Sequence, residues 1–323
     1  MGKVYAFDSP PLVSVILCVF NGEKQVALAI DDILSQTYHD FELIISDDAS
    51  TDGTSRVLER YRGDRRVRLF RQPSNLGFVA NKNFAIEQAR GKLITQQDHD
   101  DRSDKTRLER QVKALEETAM LVVACGVRRI DQQGNEVTRI APKHNVVIDT
   151  IPDDGLPFFF APIMFSRAVW EQHGPFSEYF AGSFGEDNYF ISCVLRTHPI
   201  AVIADCLYDY TDTPGSATSR VLTQRVFAMA PILQHLARQN EATGTNDLEQ
   251  GLLEVLSGEE RRILADRLYL AEQYRIYAAR AIDHCEFAEA IRLIKKAATL
   301  SPLSIKLAQT VFYLLRRAIM RSK

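Results

Sequence analysis

The amino-acid sequence predicts an α/β protein with a mostly parallel central sheet flanked by helices, followed by an all-helical C-terminal region. Apolar, β-branched runs alternate four times with amphipathic segments before residue 101, which is typical of parallel strands joined by helices. From about residue 219 onward the spacing of apolar residues is helical only. The chain has 323 residues, of which 46% are hydrophobic and 25% charged, so it is long enough for two globular domains.

Four strands are predicted in the first half of the sheet domain. They are the runs LVSVILCVF, FELIISDD, RVRLFRQ and KLITQQD, at 12–20, 41–48, 66–72 and 92–98. Three helices are predicted between them, at 24–36, 52–62 and 75–91. The first of these helices places Val26, Ile30 and Ile33 on one face, as a helix packed on a sheet does.

Beyond residue 101 the pattern changes. A predicted helix at 104–115 is followed by two strands joined across Gly134, by short helices that begin near Arg167 and Glu186, and by a last strand at 201–210. The sequence therefore predicts two domains and divides the first into two halves, with boundaries at 1–218 (1–101 and 102–218) and 219–323.

The helical region contains two distinctive segments. Residues 268–301 fit one helix pair of the tetratricopeptide type, with residues of the expected kind at Ala278, Ala290, Ala297 and Pro302. From Lys295 to the end there are seven basic residues and no acid. Residues 303–323 contain five of these basic residues and an apolar face at Leu303, Leu307, Val311, Leu314 and Ala318. Such a helix suits an anionic membrane surface, or packs on the protein with a basic outer face.

Composition excludes several classes of protein. The net charge of −3 provides no overall field for nucleic acid, and the five scattered cysteines lack zinc-binding spacing. The N-terminus has no apolar core of a signal peptide, and no apolar run is long enough to span a membrane, so we expect a cytoplasmic location. Motifs of dinucleotide-binding, P-loop, zinc-protease and α/β-hydrolase proteins are missing from the sequence.

Acidic residues follow two of the predicted strands. Asp47 and Asp48 end the second strand, where α/β sheets bind ligands; they can accept hydrogen bonds from a base and a ribose, or start a turn. Asp98 and Asp100 alternate after the fourth strand, as carboxylates that chelate a hard cation do, although a solvated acidic turn has the same composition.

A further acidic pair begins a predicted helix. Glu186 and Asp187 in GEDNYF precede an apolar helical face. Together with Ser183 they match a helix-capping box, and a carboxylate positioned here can also act as a general base.

Taken in order, these motifs resemble those of inverting family 2 glycosyltransferases with the GT-A fold, of the bacterial surface-polysaccharide type. The resemblance covers roughly residues 12–218. It is carried by VSVILCVFNGE and SDDASTDGT, then by NLGFVANKNF with QQDHDD, and finally by APIMF with GEDNYF. The fold that it implies is a Rossmann-like sheet with a nucleotide-sugar-binding half and an acceptor-binding half.

The resemblance implies roles for the matching residues. Asp98 and Asp100, supported by Asp101, would hold Mg²⁺ or Mn²⁺; Asp187 would be the catalytic base, and Glu186 would help to orient the acceptor. Recognition of the donor nucleotide would fall to six polar residues, Asn21, Glu23, Asp47, Asp48, Lys82 and Asp98.

The reaction that the resemblance implies is a single displacement with inversion at the anomeric carbon. A sugar would pass from a UDP- or dTDP-type donor to a hydroxyl of a glycan or lipid-linked acceptor, with the cation as Lewis acid. Three consecutive aromatic residues are candidates for stacking on the acceptor sugar, or for the core, Phe158, Phe159 and Phe160.

One position departs from the family pattern. Members often carry a histidine after the last strand, whereas YTDTPGS has Thr213 there, with Asp212 beside it as a substitute metal ligand. The alternative function is therefore a catalytically impaired GT-A partner that binds nucleotide sugars within a polysaccharide synthase complex. A nucleotidyltransferase lacks support, because the glycine- and basic-rich nucleotide loop of such enzymes is missing from the sequence.

Overall fold

The structure is a computed structural model that describes residues 10–150, 156–181, 185–211, 258, 261–262, 264–283, 287–302 and 304–321. The chain forms two compact units, Met1–Thr213 and Pro214–Lys323. Three residues discussed above lie outside the described residues. They are Ser183, predicted to cap a helix, Asp212, a predicted metal ligand, and Thr213, which stands where family members often have a histidine.

Four parallel strands open the first unit, as predicted. They are β1 (Val13–Val19), β2 (Phe41–Asp47), β3 (Val67–Arg71) and β4 (Leu93–Gln96), and they stand in the order β3-β2-β1-β4. The helices that follow the first three strands are α1 (Val26–Leu34), α2 (Thr54–Leu58) and α3 (Phe78–Glu87). Every residue of β2 is buried, because apolar clusters cover both faces of this part of the sheet.

The second half of the sheet is mixed. Its strands are β5 (Arg102–Ser103), β6 (Val122–Ile130), β7 (Glu136–Ile140), β8 (Val146–Ile148), β9 (Met164–Ser166) and β10 (Ile200–Thr211). β9 lies antiparallel between β4 and β6, and β6 runs parallel to β10. The sequence did not predict β5, β8 or β9, because two or three residues are too few to establish a strand period.

Three helices flank this second half. They are α4 (Arg107–Thr118), α5 (Arg167–His173) and α6 (Glu186–Val194). The predicted starts of α5 and α6 agree with the structure, and α4 corresponds to the helix predicted at 104–115. The fold class predicted from the sequence is confirmed, with a sheet that is parallel in its first half and mixed in its second.

The described part of the second unit consists of α7 (Arg267–Asp283), α8 (Phe287–Leu300) and α9 (Ile305–Arg321). Ala278, Ala290 and Ala297 are at most 1% exposed, so the small residues lie where α7 and α8 approach each other. Whether the pair is a tetratricopeptide repeat stays a prediction. Among the described residues no helix is both long and apolar enough to cross a membrane.

The apolar face predicted for the terminal helix is divided in the structure. Leu307 and Leu314 are 6% and 9% exposed and belong to the core that α9 shares with α7 and α8. Val311 is 36% exposed, and Leu303 lies outside the described residues. α9 therefore packs on the helix pair through part of the predicted face, and a different set of apolar residues points to solvent.

Candidate active site

The parallel strands bring three polar loops to one edge of the sheet. Val19 of β1 pairs with Asp47 of β2, and Ile16 pairs with Gln96 of β4, so the carboxyl ends of all three strands meet. The residues that follow these strands belong to three of the predicted motifs. An edge of this kind is where open α/β sheets bind ligands.

The acids at the end of β2 accept hydrogen bonds from neighbouring groups of the chain. Asp47 accepts hydrogen bonds from the Ser50 N–H at 2.9 Å and from the Ser55 hydroxyl at 3.0 Å. The two oxygens of Asp48 accept from the N–H groups of residues 76–77, at 2.7 and 3.0 Å. Burial raises the pKa of Asp48 even though these two N–H groups lower it. Both acids therefore shape the loops at this edge.

Asn21 and Glu23 connect the loop after β1 to the loop after β2. Asn21 has a φ of 54°, and its Oδ1 accepts from the Thr51 N–H at 2.8 Å. The Glu23 Oε2 accepts from the Gly53 N–H at 3.1 Å. A Cβ at Gly53 would clash with the Glu23 carboxylate, so a larger residue there would displace the Glu23 side chain from this hydrogen bond. Asn21 and Glu23, predicted to contact the donor, thus hold these two loops together.

Buried hydrogen bonds hold the acidic loop that follows β4. The Asp98 N–H donates to the Tyr208 hydroxyl at 3.1 Å, and Gln96 Nε2 donates to Asp98 Oδ1 at 2.6 Å. Asp101 is 1% exposed, and its Oδ1 accepts from the Thr211 N–H at 2.8 Å. Its Oδ2 has no hydrogen-bond partner among the described residues. Asp101 therefore lies behind the loop, while Asp98 and Asp100 are less buried.

The donor set of this loop fits a hard divalent cation. Burial raises the pKa of Asp100, and the charge of Asp98 adds to this. Burial and then the charges of Asp98 and Asp100 raise the pKa of Asp101 well above its usual range. A cation held by two carboxylates and completed by phosphate and water would relieve this repulsion. In the described ranges, no three His, Cys, Asp or Glu side chains are grouped so that they alone hold a metal.

A buried ion pair joins α3 to the start of α6. Lys82 Nζ lies 3.0 Å from Glu186 Oε1, and the two side chains are 15% and 3% exposed. Burial lowers the pKa of Lys82, but the carboxylates of Glu186, Asp98 and Asp187 outweigh burial and raise it. Lys82 therefore stays charged and lies within the electrostatic reach of the β4 loop.

Asp187 is half-buried and lies beside another negative charge. Burial, followed by the charge of Glu186, raises the pKa of Asp187 to about 7, although Lys82 and a hydrogen bond from the Asn188 N–H oppose the shift. A carboxylate with this pKa accepts and releases a proton near neutral pH, which is what a general base requires.

The three consecutive phenylalanines differ in their surroundings. Phe158 is 3% exposed and has no ring face open to solvent. Phe159 lies 5.3 Å from Tyr210, and Phe160 lies 5.6 Å from Phe176, each measured between ring centroids in an edge-to-face arrangement. Phe158 is therefore a core residue, the alternative that the sequence left open. Contact of Phe159 or Phe160 with an acceptor stays a prediction.

The family model of glycosyl transferase family 2 matches residues 14–174. The O-antigen biosynthesis glycosyltransferase WbnJ of Escherichia coli is 30% identical over 183 residues, which cover 55% of this chain and 69% of WbnJ. The chain belongs to glycosyl transferase family 2. The family membership expected from the sequence motifs is therefore confirmed.

Two further comparisons give the extent to which this family 2 chain resembles another sequence and a solved structure. EpsE of Bacillus subtilis (strain 168), a glycosyltransferase by name, is 38% identical over 166 residues, covering 50% of this chain but only 59% of EpsE. The crystal structure of Staphylococcus aureus TarS 1–349 with UDP-GlcNAc has a TM-score of 0.59 at 16% identity, covering 96% of this chain and 91% of that one. TarS and this chain therefore share a fold.

The family 2 match includes the loops after β1, β2 and β4 but ends before α6. The structure places Lys82, Glu186 and Asp187 in one cluster with Asp98 in electrostatic reach, although 104 residues separate the first two along the chain. Asn21, Glu23, Asp47 and Asp48 form the neighbouring hydrogen-bonded wall. Their roles in binding donor, metal and acceptor stay predictions.

Sequence reasoning missed two residues behind the acidic loop. Arg107 is fully buried and donates to the Gln96 carbonyl at 3.2 Å, and its guanidinium lies 5.5 Å from the Tyr208 ring centroid. In the sequence, Arg107 is one of several charged residues in an amphipathic helix, and nothing distinguishes it from a surface arginine. Tyr208 is an aromatic residue in a predicted strand, where a core position is the ordinary expectation.

Proposed function

We propose that this chain is an inverting glycosyltransferase that acts in bacterial polysaccharide biosynthesis. It moves a sugar from a UDP- or dTDP-type donor to a hydroxyl of a glycan or lipid-linked acceptor. The observation that carries the proposal is the cluster of Asp187, Glu186 and Lys82 beside Asp98, at the edge of the sheet where a ligand binds. TarS, whose fold is shared, has been crystallised with UDP and with UDP-GlcNAc.

Relatives support the polysaccharide context. WbnJ is named for O-antigen biosynthesis, and TuaG of Bacillus subtilis, 32% identical over 130 residues, is named for teichuronic acid biosynthesis. The chain spans less than two thirds of EpsE and of TuaG. The sugar, the acceptor and the product therefore belong to the proposal.

In the proposed reaction Asp187 is the general base. It removes the proton of the acceptor hydroxyl while that oxygen bonds to the anomeric carbon and the bond to the departing diphosphate breaks. Because attack and departure occur on opposite faces, the configuration inverts. A pKa of about 7 matches the proton affinity of Asp187 to a reaction at neutral pH.

Glu186 and Lys82 set the electrostatics of this base. Glu186 is 2% exposed and bonded to Lys82, so we assign it the role of internal counter-ion in place of direct contact with the acceptor. Its negative charge raises the proton affinity of Asp187, and the ammonium of Lys82 limits that rise. Lys82 also provides positive charge next to the β4 loop, where a diphosphate would lie.

Asp98 and Asp100 would hold Mg²⁺ or Mn²⁺, with Asp101 supporting the loop from behind. A bound cation supplies Lewis-acid stabilisation of the departing diphosphate. The hydrogen bonds from the Asp98 N–H to the Tyr208 hydroxyl and from the Thr211 N–H to Asp101 fix the loop before any ligand arrives, which reduces the ordering that binding requires.

The proposal is tested by donor binding and product stereochemistry. Isothermal titration of UDP and dTDP, each with and without Mn²⁺, measures donor affinity, and NMR of the product determines the anomeric configuration. We expect Mn²⁺ to strengthen nucleotide binding at least tenfold in the natural protein and to have little effect in Asp98→Asn. Glu117→Gln, on an exposed part of α4, is the matched control.

Different results contradict different parts of the proposal. Retention of configuration excludes the direct displacement, and Mn²⁺ dependence that is unchanged in Asp98→Asn excludes the assigned ligands. Tight nucleotide binding with no transfer to any acceptor supports instead the catalytically impaired binding partner.

A further inference from the structure

α9 presents a second apolar face to solvent. Ile305, Phe312 and Leu315 are 77%, 70% and 56% exposed, and Val311 is 36% exposed. At 3.6 residues per turn these four positions fall within an arc of about 120° on the helix. They extend over about 15 Å along its axis. A soluble helix normally buries residues of this kind, so this exposed apolar face is a candidate contact surface.

The remaining faces of α9 explain why this surface is left over. Leu307, Thr310 and Leu314 lie on an adjacent side of the helix and are buried against the other two helices. The helix therefore already packs on its own unit through one apolar stripe. The stripe made of Ile305 and Phe312 is additional, and folding of the helix pair does not require it.

The charged residues of α9 are all basic, and one of them lies at an edge of the exposed apolar face. α9 contains Lys306, Arg316, Arg317 and Arg321 and no acid. Arg316 is exposed and falls about 20° beyond Ile305 on the helix, and Lys306 is 69% exposed while paired with Glu272 of α7 at 3.4 Å. A basic helix with an exposed apolar stripe has the charge that complements anionic lipid headgroups.

We propose that the second unit binds an anionic membrane surface through the exposed face of α9, with Ile305, Phe312 and Leu315 entering the interfacial layer. The sequence left membrane contact at residues 303–323 open beside packing on the protein. Because Leu307 and Leu314 are buried, the face proposed for contact now consists mainly of other residues. This inference rests on the proposed function only for its purpose, the approach of the enzyme to a lipid-linked acceptor at the inner face of the plasma membrane.

A second copy of the chain is a less suitable occupant. In a two-fold interface each surface meets itself, so two α9 helices would place the same basic residues against each other. α9 has no acid to pair with them. An anionic bilayer accommodates the apolar stripe and attracts the basic residues of α9.

The test is flotation of the full chain with vesicles of phosphatidylcholine alone or mixed with phosphatidylglycerol. We expect binding to the anionic vesicles, at least tenfold weaker binding to the neutral ones, and a loss of about tenfold in Phe312→Gln/Leu315→Gln. Leu28→Gln is the matched control, since Leu28 is a 49% exposed helical leucine of the other unit.

A second variant reports contact directly. Phe312→Trp adds an exposed indole to a chain whose single native tryptophan, Trp170, is 9% exposed. Its emission should shift to shorter wavelength when phosphatidylglycerol vesicles are added. The proposal is overturned if the emission stays unchanged, if the double variant binds like the natural protein, or if light scattering shows a dimer that the double variant abolishes. Nucleotide affinity is measured separately, and it tests the proposed transfer reaction independently of membrane binding.

Discussion

The acids at the end of β2 and the acids around β4 and α6 are the same residue types at the same edge of one sheet, yet their surroundings differ. Both oxygens of Asp47 and both oxygens of Asp48 accept hydrogen bonds from the chain itself. Asp101 has one oxygen without a hydrogen-bond partner among the described residues, and Asp187 accepts on Oδ1 from Asn188 and lies beside another carboxylate. The placement of donors on one or both oxygens, together with the neighbouring charge, thus separates acids that shape loops from acids that retain capacity for a proton or a cation.

The largest expected effect that tests this contrast is on catalysis. Asp187→Asn keeps the shape of the side chain but cannot accept a proton, so we expect the transfer rate to fall by about 10³ while nucleotide affinity changes less than threefold. In the natural protein, the rate should rise with pH through about 7, as Asp187 ionises. Steady-state kinetics from pH 5 to 9, with Glu117→Gln as control, measure both. A variant that retains the natural rate removes Asp187 from the mechanism.

A smaller effect, on stability, is expected at the end of β2. Asp48→Ala leaves the N–H groups of residues 76–77 without their acceptors and should lower the free energy of unfolding by about 2 kcal/mol. Urea unfolding measures the loss. Mn²⁺ affinity in the absence of nucleotide should stay unchanged, because Asp48 belongs to the loop-shaping group. A loss of metal affinity without a loss of stability would reverse the contrast between the two groups.

The smallest effect is a pH-dependent gain in stability for Asp187→Asn. In the folded protein Asp187 ionises near pH 7, whereas in the unfolded chain it ionises near its usual value of about 3.9. The folded state therefore binds more protons within this window, and stability falls as pH rises from about 4 to about 7. Asparagine has no such loss. Full linkage would increase its advantage by about 2.5 kcal/mol from about pH 5 to about pH 8. Because Asp187 is partly exposed and solvent screens its charge, we expect about 1 kcal/mol, or roughly 2–4 °C in Tm.

Thermal unfolding at both pH values measures this gain. Glu117→Gln, which removes an exposed acid paired with Lys113 at 3.6 Å, should show no comparable trend. A constant difference between Asp187→Asn and the natural protein would mean that Asp187 is already ionised at pH 5.

Sequence patterns predicted the half of the sheet that is buried on both faces. β1 and β2 are continuous apolar runs and were predicted as parallel strands. Because parallel strands align their carboxyl ends, this prediction also implied that the polar loops after them lie close together. β9 has three residues and pairs with two distant strands, and these contacts leave no local period. The fold was therefore most predictable where local and tertiary requirements agree.

The candidate site was predicted by residue type and not by environment. Asp101 and Asp100 are neighbours in sequence, but only the structure separates the buried acid from the less buried one. In α9 two apolar stripes have the same helical period, so periodicity alone did not decide that Leu307 lies inward and Phe312 outward. Such choices depend on the packing of other elements, which a local pattern does not contain.

The ion pair between Lys82 and Glu186 also restricts how this sequence can diverge. Replacing one partner leaves the other charge buried and uncompensated, at a cost of about 3–5 kcal/mol, whereas replacing both with uncharged residues of similar size costs far less. Single substitutions at either position are therefore expected to be rare among descendants of this chain, and paired substitutions to be accessible only where the proposed catalytic role of the pair is no longer needed. Positions 82 and 186 should then behave in evolution as one inherited unit.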